Sequence, residues 1–158
     1  MGASLQLILL GALALLLVSA GVEDVRFRTI GNLKNAAIAL GAPLWWWASG
    51  MAFWPDITLQ IGCAALVFAL FVGAFALSMM GGGDVKLIGA LALWLPLAPL
   101  LRMLILMSLL GGALTLLMLL GKKLRRRKAQ APIEVPYGVA ITLAALIILS
   151  EPILNRIG

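Results

Sequence analysis

The chain has 158 residues, of which 63% are hydrophobic and 11% charged, and its mean hydropathy is +1.12. A soluble domain of this size could not bury so much apolar surface, so the composition predicts a protein whose main solvent is lipid. The net charge of +6 comes without a nucleic-acid recognition motif, and we expect no nucleic-acid partner. The absence of histidine and the single cysteine exclude Ser-His-Asp catalysis, an internal disulfide, and zinc sites built on His or Cys clusters, so we expect no metal and no cofactor.

Six apolar runs are candidates for membrane-crossing helices, which need roughly 17–25 residues. In chain order they are Ser4–Gly21, Leu33–Trp54, Ile57–Met80, Leu87–Leu101, Met103–Leu120 and Val135–Leu154. The second contains Pro43 as an expected kink, and the fourth is short and broken by Pro96 and Pro99. We therefore predict an all-α, polytopic membrane protein of about six transmembrane helices, forming one domain over residues 1–158.

The distribution of basic residues predicts the orientation, because cytoplasmic loops carry an excess of Lys and Arg. With the N-terminus outside, only Arg102 and Arg156 face outward. The ten inward-facing basic residues are Arg26, Arg28, Lys34, Lys86, Lys122, Lys123, Arg125, Arg126, Arg127 and Lys128. The last inner loop, at about 121–134, is expected to contact anionic lipid head groups, with docking to a cytoplasmic partner as the alternative.

Three of the six acidic residues, Glu23, Asp24 and Asp84, lie at the predicted inner ends of the first and third helices. Placing a carboxylate beside an apolar span costs free energy, so such residues are candidates for a functional role. Asp24 and Asp84 are expected at the same membrane depth, where helix packing could bring them together. Two such carboxyls share one proton and can activate water. The alternative for Asp24 is a solvated loop residue.

Three consecutive glycines, Gly81, Gly82 and Gly83, directly precede Asp84. They weaken a helix by roughly 1 kcal/mol each, and they permit turns closed to other residues and the close approach of another chain. A peptide held extended beside a catalytic acid would benefit from this absence of side chains. The alternative is a flexible turn in which Asp84 caps the next helix.

The segment Gly81–Leu87, which reads Gly-Gly-Gly-Asp-Val-Lys-Leu, resembles the second catalytic motif of the type IV prepilin peptidases. These are GxGD-type intramembrane aspartic peptidases. Their first motif is an Asp six residues before Ile-Pro-Asn, and Asp24 has that spacing to 30–32, which reads Ile-Gly-Asn. Gly31 departs from the family's proline, which we expect to loosen the turn. A Pro-Tyr-Gly at the start of the last helix also occurs in the family, and residues 136–138 match it.

The resemblance implies an aspartic endopeptidase of the bacterial inner membrane that removes the cytoplasmic leader from type IV prepilins. Asp24 and Asp84 would be the catalytic pair, near the cytoplasmic face. The residues expected to bind substrate or shape the site are Gly81, Gly82, Gly83, Lys86, Arg26, Arg28, Asn32, Pro136, Tyr137 and Gly138. Lys86 either tunes the acid pair or extends to the membrane surface as an orientation signal.

The chain also resembles the small peptidases of tight-adherence (Flp-type) pili. It contains no Cys-x-x-Cys motif. We therefore expect no N-terminal domain of the kind that larger relatives carry, and peptidase activity without N-methylation of the pilin. The expected partners are prepilins, the lipid bilayer and the pilus assembly machinery. The alternative function is a non-enzymatic membrane scaffold or a small transporter component of a secretion or pilus system.

Overall fold

The computed structural model describes residues 2–124 and 135–157, and within these ranges the chain forms six α-helices and no β-strand. The helices are α1 (Gly2–Phe27), α2 (Asn32–Ala48), α3 (Thr58–Ala76), α4 (Gly82–Ala92), α5 (Leu97–Leu124) and α6 (Tyr137–Ile157), and a π-type turn (Phe53–Ile57) precedes α3. The predicted all-α fold is confirmed. Most of the basic segment at 121–134 lies outside the described residues, so its contacts stay predictions.

Two helix boundaries differ from the prediction in ways that bear on the site. Helix α1 continues through Glu23 and Asp24, so both acids are helical instead of lying in a loop. The predicted fourth run is wrong in its extent, because α4 ends at Ala92 and α5 already begins at Leu97. Pro96 directly precedes α5 and Pro99 lies in its first turn, where the missing proline N–H removes no helical hydrogen bond. The prolines therefore start α5 instead of interrupting the helix before it.

Three helical segments of the described ranges are long and apolar enough to cross a bilayer. They are Ala3–Phe27, Phe53–Ala76 and Leu97–Gly121, with mean hydropathies of 2.4, 2.2 and 2.4. At most 22% of the most apolar stretch of each segment is buried inside the protein, so most of these side chains face outward, as lipid contact requires. Helix α4 has 11 residues and is too short to cross a hydrocarbon core of about 30 Å. The number of crossings and the outward N-terminus stay predictions.

Helix α4 lies at the centre of the bundle, where it packs against α2, α3 and α6. Its buried residues are Val85, Leu87, Ile88, Ala90, Leu91 and Ala92. Helix α1 packs against α2 and α6, and α5 packs against α6. The short apolar helix α4 is therefore enclosed by the longer helices α2, α3 and α6. Its N-terminal turn lies at one end of the bundle.

The C-terminal end of α4 is held by side chains of its neighbours. Nε2 of Gln60 in α3 donates to the carbonyl oxygens of Ala92 and Leu95, both at 2.7 Å. Nε1 of Trp46 in α2 donates to the carbonyl oxygen of Leu93 at 2.8 Å. Carbonyls at the end of a helix have no helical donor, so these bonds satisfy groups that would otherwise be unpaired. These bonds hold the C-terminal end of α4, which is the end opposite to Asp84.

Candidate active site

Asp24 lies near the end of α1 and is 4% exposed. Its Oδ2 accepts a hydrogen bond from the main-chain N–H of Val139 at 3.1 Å. Val139 is the third residue of α6, where main-chain donors lack the regular helical acceptor four residues earlier. The carboxylate therefore caps a helix to which it does not belong, and the dipole of that helix favours its negative charge.

The first residues of α6 provide the space for this contact. A Cβ on Gly138 would lie 2.7 Å from Cγ of Asp24, a distance that real Cβ atoms do not show. The ring of Tyr137 packs against α5, because a Cβ on Gly111 would lie 2.8 Å from its Cε1. Pro136 is buried just before the helix. Of the predicted Pro-Tyr-Gly residues, Gly138 thus lies against Asp24, and Tyr137 fixes the start of α6.

Asp84 lies in the first turn of α4, whose N-cap residue is Gly81. The alternative that Asp84 itself is the N-cap is wrong, because its carboxylate instead reaches back and accepts the main-chain N–H of Gly81. Burial, and secondly the negative charge of Asp24, raise the pKa of Asp84 to about 6, against the lowering effect of the Gly81 hydrogen bond. The two carboxyls are therefore within electrostatic reach of each other.

Ile30, in the connection between α1 and α2, lies between the segments that carry the two acids. A Cβ on Gly83 would lie 3.3 Å from the main-chain N and O of Ile30, and a Cβ on Gly138 would lie 2.8 Å from its Cδ1. Ile30 is 6% exposed. The connection is thus wedged between the first turns of α4 and α6, and it holds Asp84 and Asp24 at the same end of the bundle.

The three glycines before Asp84 serve close packing. Gly81 has φ −72° and ψ 143°, and neither Gly82 nor Gly83 has positive φ. The turns that only glycine permits are therefore not used at these three positions. A Cβ on Gly82 would lie 3.3 Å from the ring of Phe75, and one on Gly83 would meet Ile30. Close approach does occur here, and it is made by other parts of the same chain.

Glu23 is adjacent to Asp24 but has different partners. Its Oε2 lies 2.8 Å from Nζ of Lys34 and accepts the main-chain N–H of Gly31 at 3.3 Å. Gly31, the N-cap of α2, has φ −62° and ψ 135°, which proline could also adopt. A proline there would lack the N–H that Glu23 accepts. Glu23, Gly31 and Lys34 thus form a clamp across the α1–α2 connection, and Glu23 has a structural role.

The predicted polar and basic residues lie around the same end. Arg26 and Arg28 are exposed at the end of α1, and the charge of Arg28 attracts the Asp24 carboxylate. Arg28 has a φ of 55°, in the left-handed region, as α1 ends. Nζ of Lys86 donates to Oδ1 of Asn32 at 2.7 Å, which joins α4 to the first residue of α2.

Several contacts of the site were missed by the sequence reasoning. Val139 and Ile30 act through main-chain groups or packing, for which no sequence signal exists. Asn35 is 4% exposed in α2, and its Nδ2 donates to the carbonyl oxygen of Gly83 at 3.1 Å. A polar residue on an apolar helix is the signal that would have identified Asn35. Among the described residues, no cluster of three His, Cys, Asp or Glu side chains is placed to hold a metal ion.

Comparison with protein families places the chain in a known family. The model of the type IV leader peptidase family matches residues 11–116, a segment that contains both acids and the glycine run. Comparison with curated proteins and with solved structures found no significant match. Because the family model covers well over half of the sequence, the chain belongs to the type IV leader peptidase family.

Proposed function

We propose that this family member is an intramembrane aspartic endopeptidase that removes the leader peptide from type IV prepilins, using Asp24 and Asp84 as its catalytic pair. Family membership supports a leader peptidase in general. The observation that carries the aspartic mechanism is that Asp24 and Asp84, 60 residues apart in sequence, lie at one end of the bundle. Gly138, which lies against Asp24, and Gly83, which precedes Asp84, both pack on Ile30. Acidic pairs that share a proton are a known means of activating water.

The mechanism needs one ionised and one protonated carboxyl. Burial and the negative charge of Asp24 raise the pKa of Asp84 to about 6, which favours Asp84 as the protonated member of the pair below that pH. In the first step the Asp24 carboxylate takes a proton from water, the water oxygen bonds to the scissile carbonyl carbon, and Asp84 protonates the carbonyl oxygen. In the second step Asp24 protonates the leaving nitrogen as the C–N bond breaks, and Asp84 recovers its proton from the intermediate.

The position of the site suits a substrate that combines a basic leader with a hydrophobic helix. Asp84 is partly exposed in the first turn of α4, and we infer that a peptide bond at the junction of leader and helix reaches the acidic pair from that side. The exposed Arg26 and Arg28 at the end of α1 offer contacts for acidic residues of the new pilin N-terminus. We place this site at the cytoplasmic face of the inner membrane, and Flp-type prepilins are the first substrates to test.

The decisive experiment is co-expression with candidate Flp-type prepilins in a strain that lacks other prepilin peptidases, with leader removal measured by mass spectrometry. Asp24→Asn and Asp84→Asn should each abolish cleavage while the protein still accumulates in the membrane, since loss of an acid–base group costs about 100- to 10,000-fold in rate. Glu23→Gln is the matched control, because this neighbouring acid belongs to the clamp, and it should retain substantial activity.

The outcomes separate the parts of the proposal. Normal cleavage by either Asn variant would refute the catalytic pair. Failure of the wild-type protein to cleave any prepilin, in a strain where a known peptidase restores cleavage, would refute the substrate assignment.

A further inference from the structure

Asn35 is a buried amide whose nitrogen has a hydrogen-bond partner and whose oxygen has none within the described residues. The side chain is 4% exposed, and its Nδ2 donates to the carbonyl oxygen of Gly83 at 3.1 Å. Its Oδ1 is buried and has no hydrogen-bond partner within the part of the chain that the structure describes. A buried acceptor without a partner destabilises a fold, so its retention calls for an explanation.

The hydrogen bond from Asn35 is not needed to satisfy Gly83. Gly83 is the second residue of α4, and in an α-helix the carbonyl of such a residue accepts the N–H four positions later. The amide therefore adds a second donor to a carbonyl that the helix already uses. An apolar side chain of similar size would satisfy local packing without leaving an unpaired oxygen.

Gln60 provides the contrast at the other end of the same helix. It is 7% exposed, and its Nε2 donates to the carbonyl oxygens of Ala92 and Leu95. Ala92 is the last residue of α4 and Leu95 lies in the turn that follows, where helical donors are missing, so Gln60 satisfies groups that need a donor. Both ends of α4 are held by buried amides, but only the bond at the C-terminal end is explained by stability.

We propose that Asn35 is a positioning residue whose bond to Gly83 fixes the main chain from which the Asp84 side chain projects, and so sets the place of the Asp84 carboxyl relative to Asp24. This inference rests on the proposed function. Gly83 directly precedes Asp84 and packs on Ile30, so Asn35 and Ile30 together hold it in place. A displacement of about 1 Å in a reacting group can lower a rate by about 100-fold.

The test compares Asn35→Leu with the control Gln60→Leu. Asn35→Leu removes the donor and the unpaired acceptor at similar volume, so the unfolding temperature should be equal or higher. The kcat for leader removal should fall about 10- to 100-fold, with a change in KM of less than about threefold. Gln60→Leu should lower the unfolding temperature, because two carbonyls lose their donor, and should leave the kcat of the folded enzyme unchanged.

Asn35→Ala is the second variant, for the case that leucine does not fit. It should lose stability through the cavity that it leaves, and it should show the same loss of kcat. A wild-type kcat in either folded variant overturns the inference, and so does failure of both variants to fold, which would make Asn35 a structural residue. If the wild-type enzyme cleaves and Asn35→Leu cleaves equally well, only this inference fails. If the wild-type enzyme cleaves nothing, the proposed function fails and the inference with it.

Discussion

The main-chain N–H of Val139 donates to Oδ2 of Asp24 across 3.1 Å, and this bond joins positions 115 residues apart. It places one candidate catalytic carboxylate against the N-terminus of α6, while Asp84 lies in the first turn of α4. Both acids therefore lie at the positive end of a helix dipole. Asp24 lies at the N-terminus of α6, and Asp84 lies at the N-terminus of its own helix, α4. These dipoles compensate part of the repulsion between the two carboxyls.

Gly138→Ala tests whether the start of α6 must contact Asp24. The new Cβ would lie 2.7 Å from Cγ of a buried carboxylate, so either Asp24 or α6 must move. We expect a loss of about 1–3 kcal/mol in the free energy of unfolding, as for other overpacked sites, and a fall in cleavage rate of at least about tenfold. Initial rates of leader removal and thermal unfolding in the same detergent measure both effects.

Gly11→Ala is the control for this variant, because nothing lies within 4 Å of a Cβ at that position of the same helix as Asp24. It should cleave at the wild-type rate. A Gly138→Ala enzyme with normal activity would show that the contact between α6 and Asp24 is not required for catalysis.

The raised pKa of Asp84 predicts how its charge affects stability. On folding the pKa rises from 3.8 to about 6, so between these values the folded state binds more protons than the unfolded state. The contribution of Asp84 to stability is therefore complete below about pH 4, is lost as the pH rises to about 6, and stays lost above that. The ionised carboxylate destabilises the fold at neutral pH.

Asp84→Asn should consequently unfold at a higher temperature than the wild-type protein at about pH 8, and the difference should shrink towards zero near pH 4. Thermal unfolding of both proteins across this range gives the difference, which reports the titration of Asp84 together with its coupling to Asp24. A temperature difference that does not depend on pH would contradict a raised pKa of Asp84.

The sequence predicted Asp24 and Asp84 as a pair, because the chemistry requires carboxyl side chains and the resemblance to known motifs selected these two. The groups that hold them could not be identified in this way. The N–H groups of Val139 and Gly81 and the carbonyl of Gly83 are main-chain atoms that any residue type supplies. Only the fold decides which of them meet a carboxylate or an amide.

The C-terminal extension of α1 to Phe27 also depends on tertiary contacts that the sequence does not reveal. Charged residues after an apolar run predicted a loop, yet the helix continues through Glu23 and Asp24 to Phe27. Each acid has a tertiary partner there, Glu23 in the clamp with Lys34 and Asp24 at the N–H of Val139. These interactions offset the cost of placing charges at the end of an apolar helix, and they come from segments that local sequence patterns do not include.

Gly31→Pro restores the residue that the family motif usually has, and its effect should be small. The φ of −62° suits proline, which stabilises by about 0.4–1 kcal/mol through the unfolded chain. The lost N–H to Glu23 costs about 0.5–1.5 kcal/mol. We expect these terms nearly to cancel in the free energy of unfolding. Leader cleavage should be retained, because the carboxyls of Asp24 and Asp84 accept hydrogen bonds from Val139 and Gly81, outside the clamp.

A double-mutant cycle with Glu23→Gln examines the clamp itself. In the Gly31→Pro background Glu23 has already lost one donor, so Glu23→Gln should destabilise the protein less than it does in the wild type. Strictly additive unfolding free energies would argue against a shared interaction between Glu23 and residue 31.

The adjacent glycines of α5 allow a final prediction about how remote packing reaches the site. A Cβ on Gly111 would lie 2.8 Å from Cε1 of Tyr137, whereas nothing lies within 4 Å of a Cβ on Gly112. Gly112→Ala should therefore stabilise the protein by up to about 1 kcal/mol through helix propensity and leave cleavage unchanged.

Gly111→Ala gains the same propensity but must displace the Tyr137 ring, and overpacking costs about 1–3 kcal/mol. The net effect should be destabilising. Cleavage should also fall, because Tyr137 is the first residue of α6 and a shift there moves the Val139 N–H that holds Asp24. The test is to measure the unfolding temperatures and initial cleavage rates of the two variants side by side. Equal behaviour of both variants would show that the α5–α6 contact does not position Asp24.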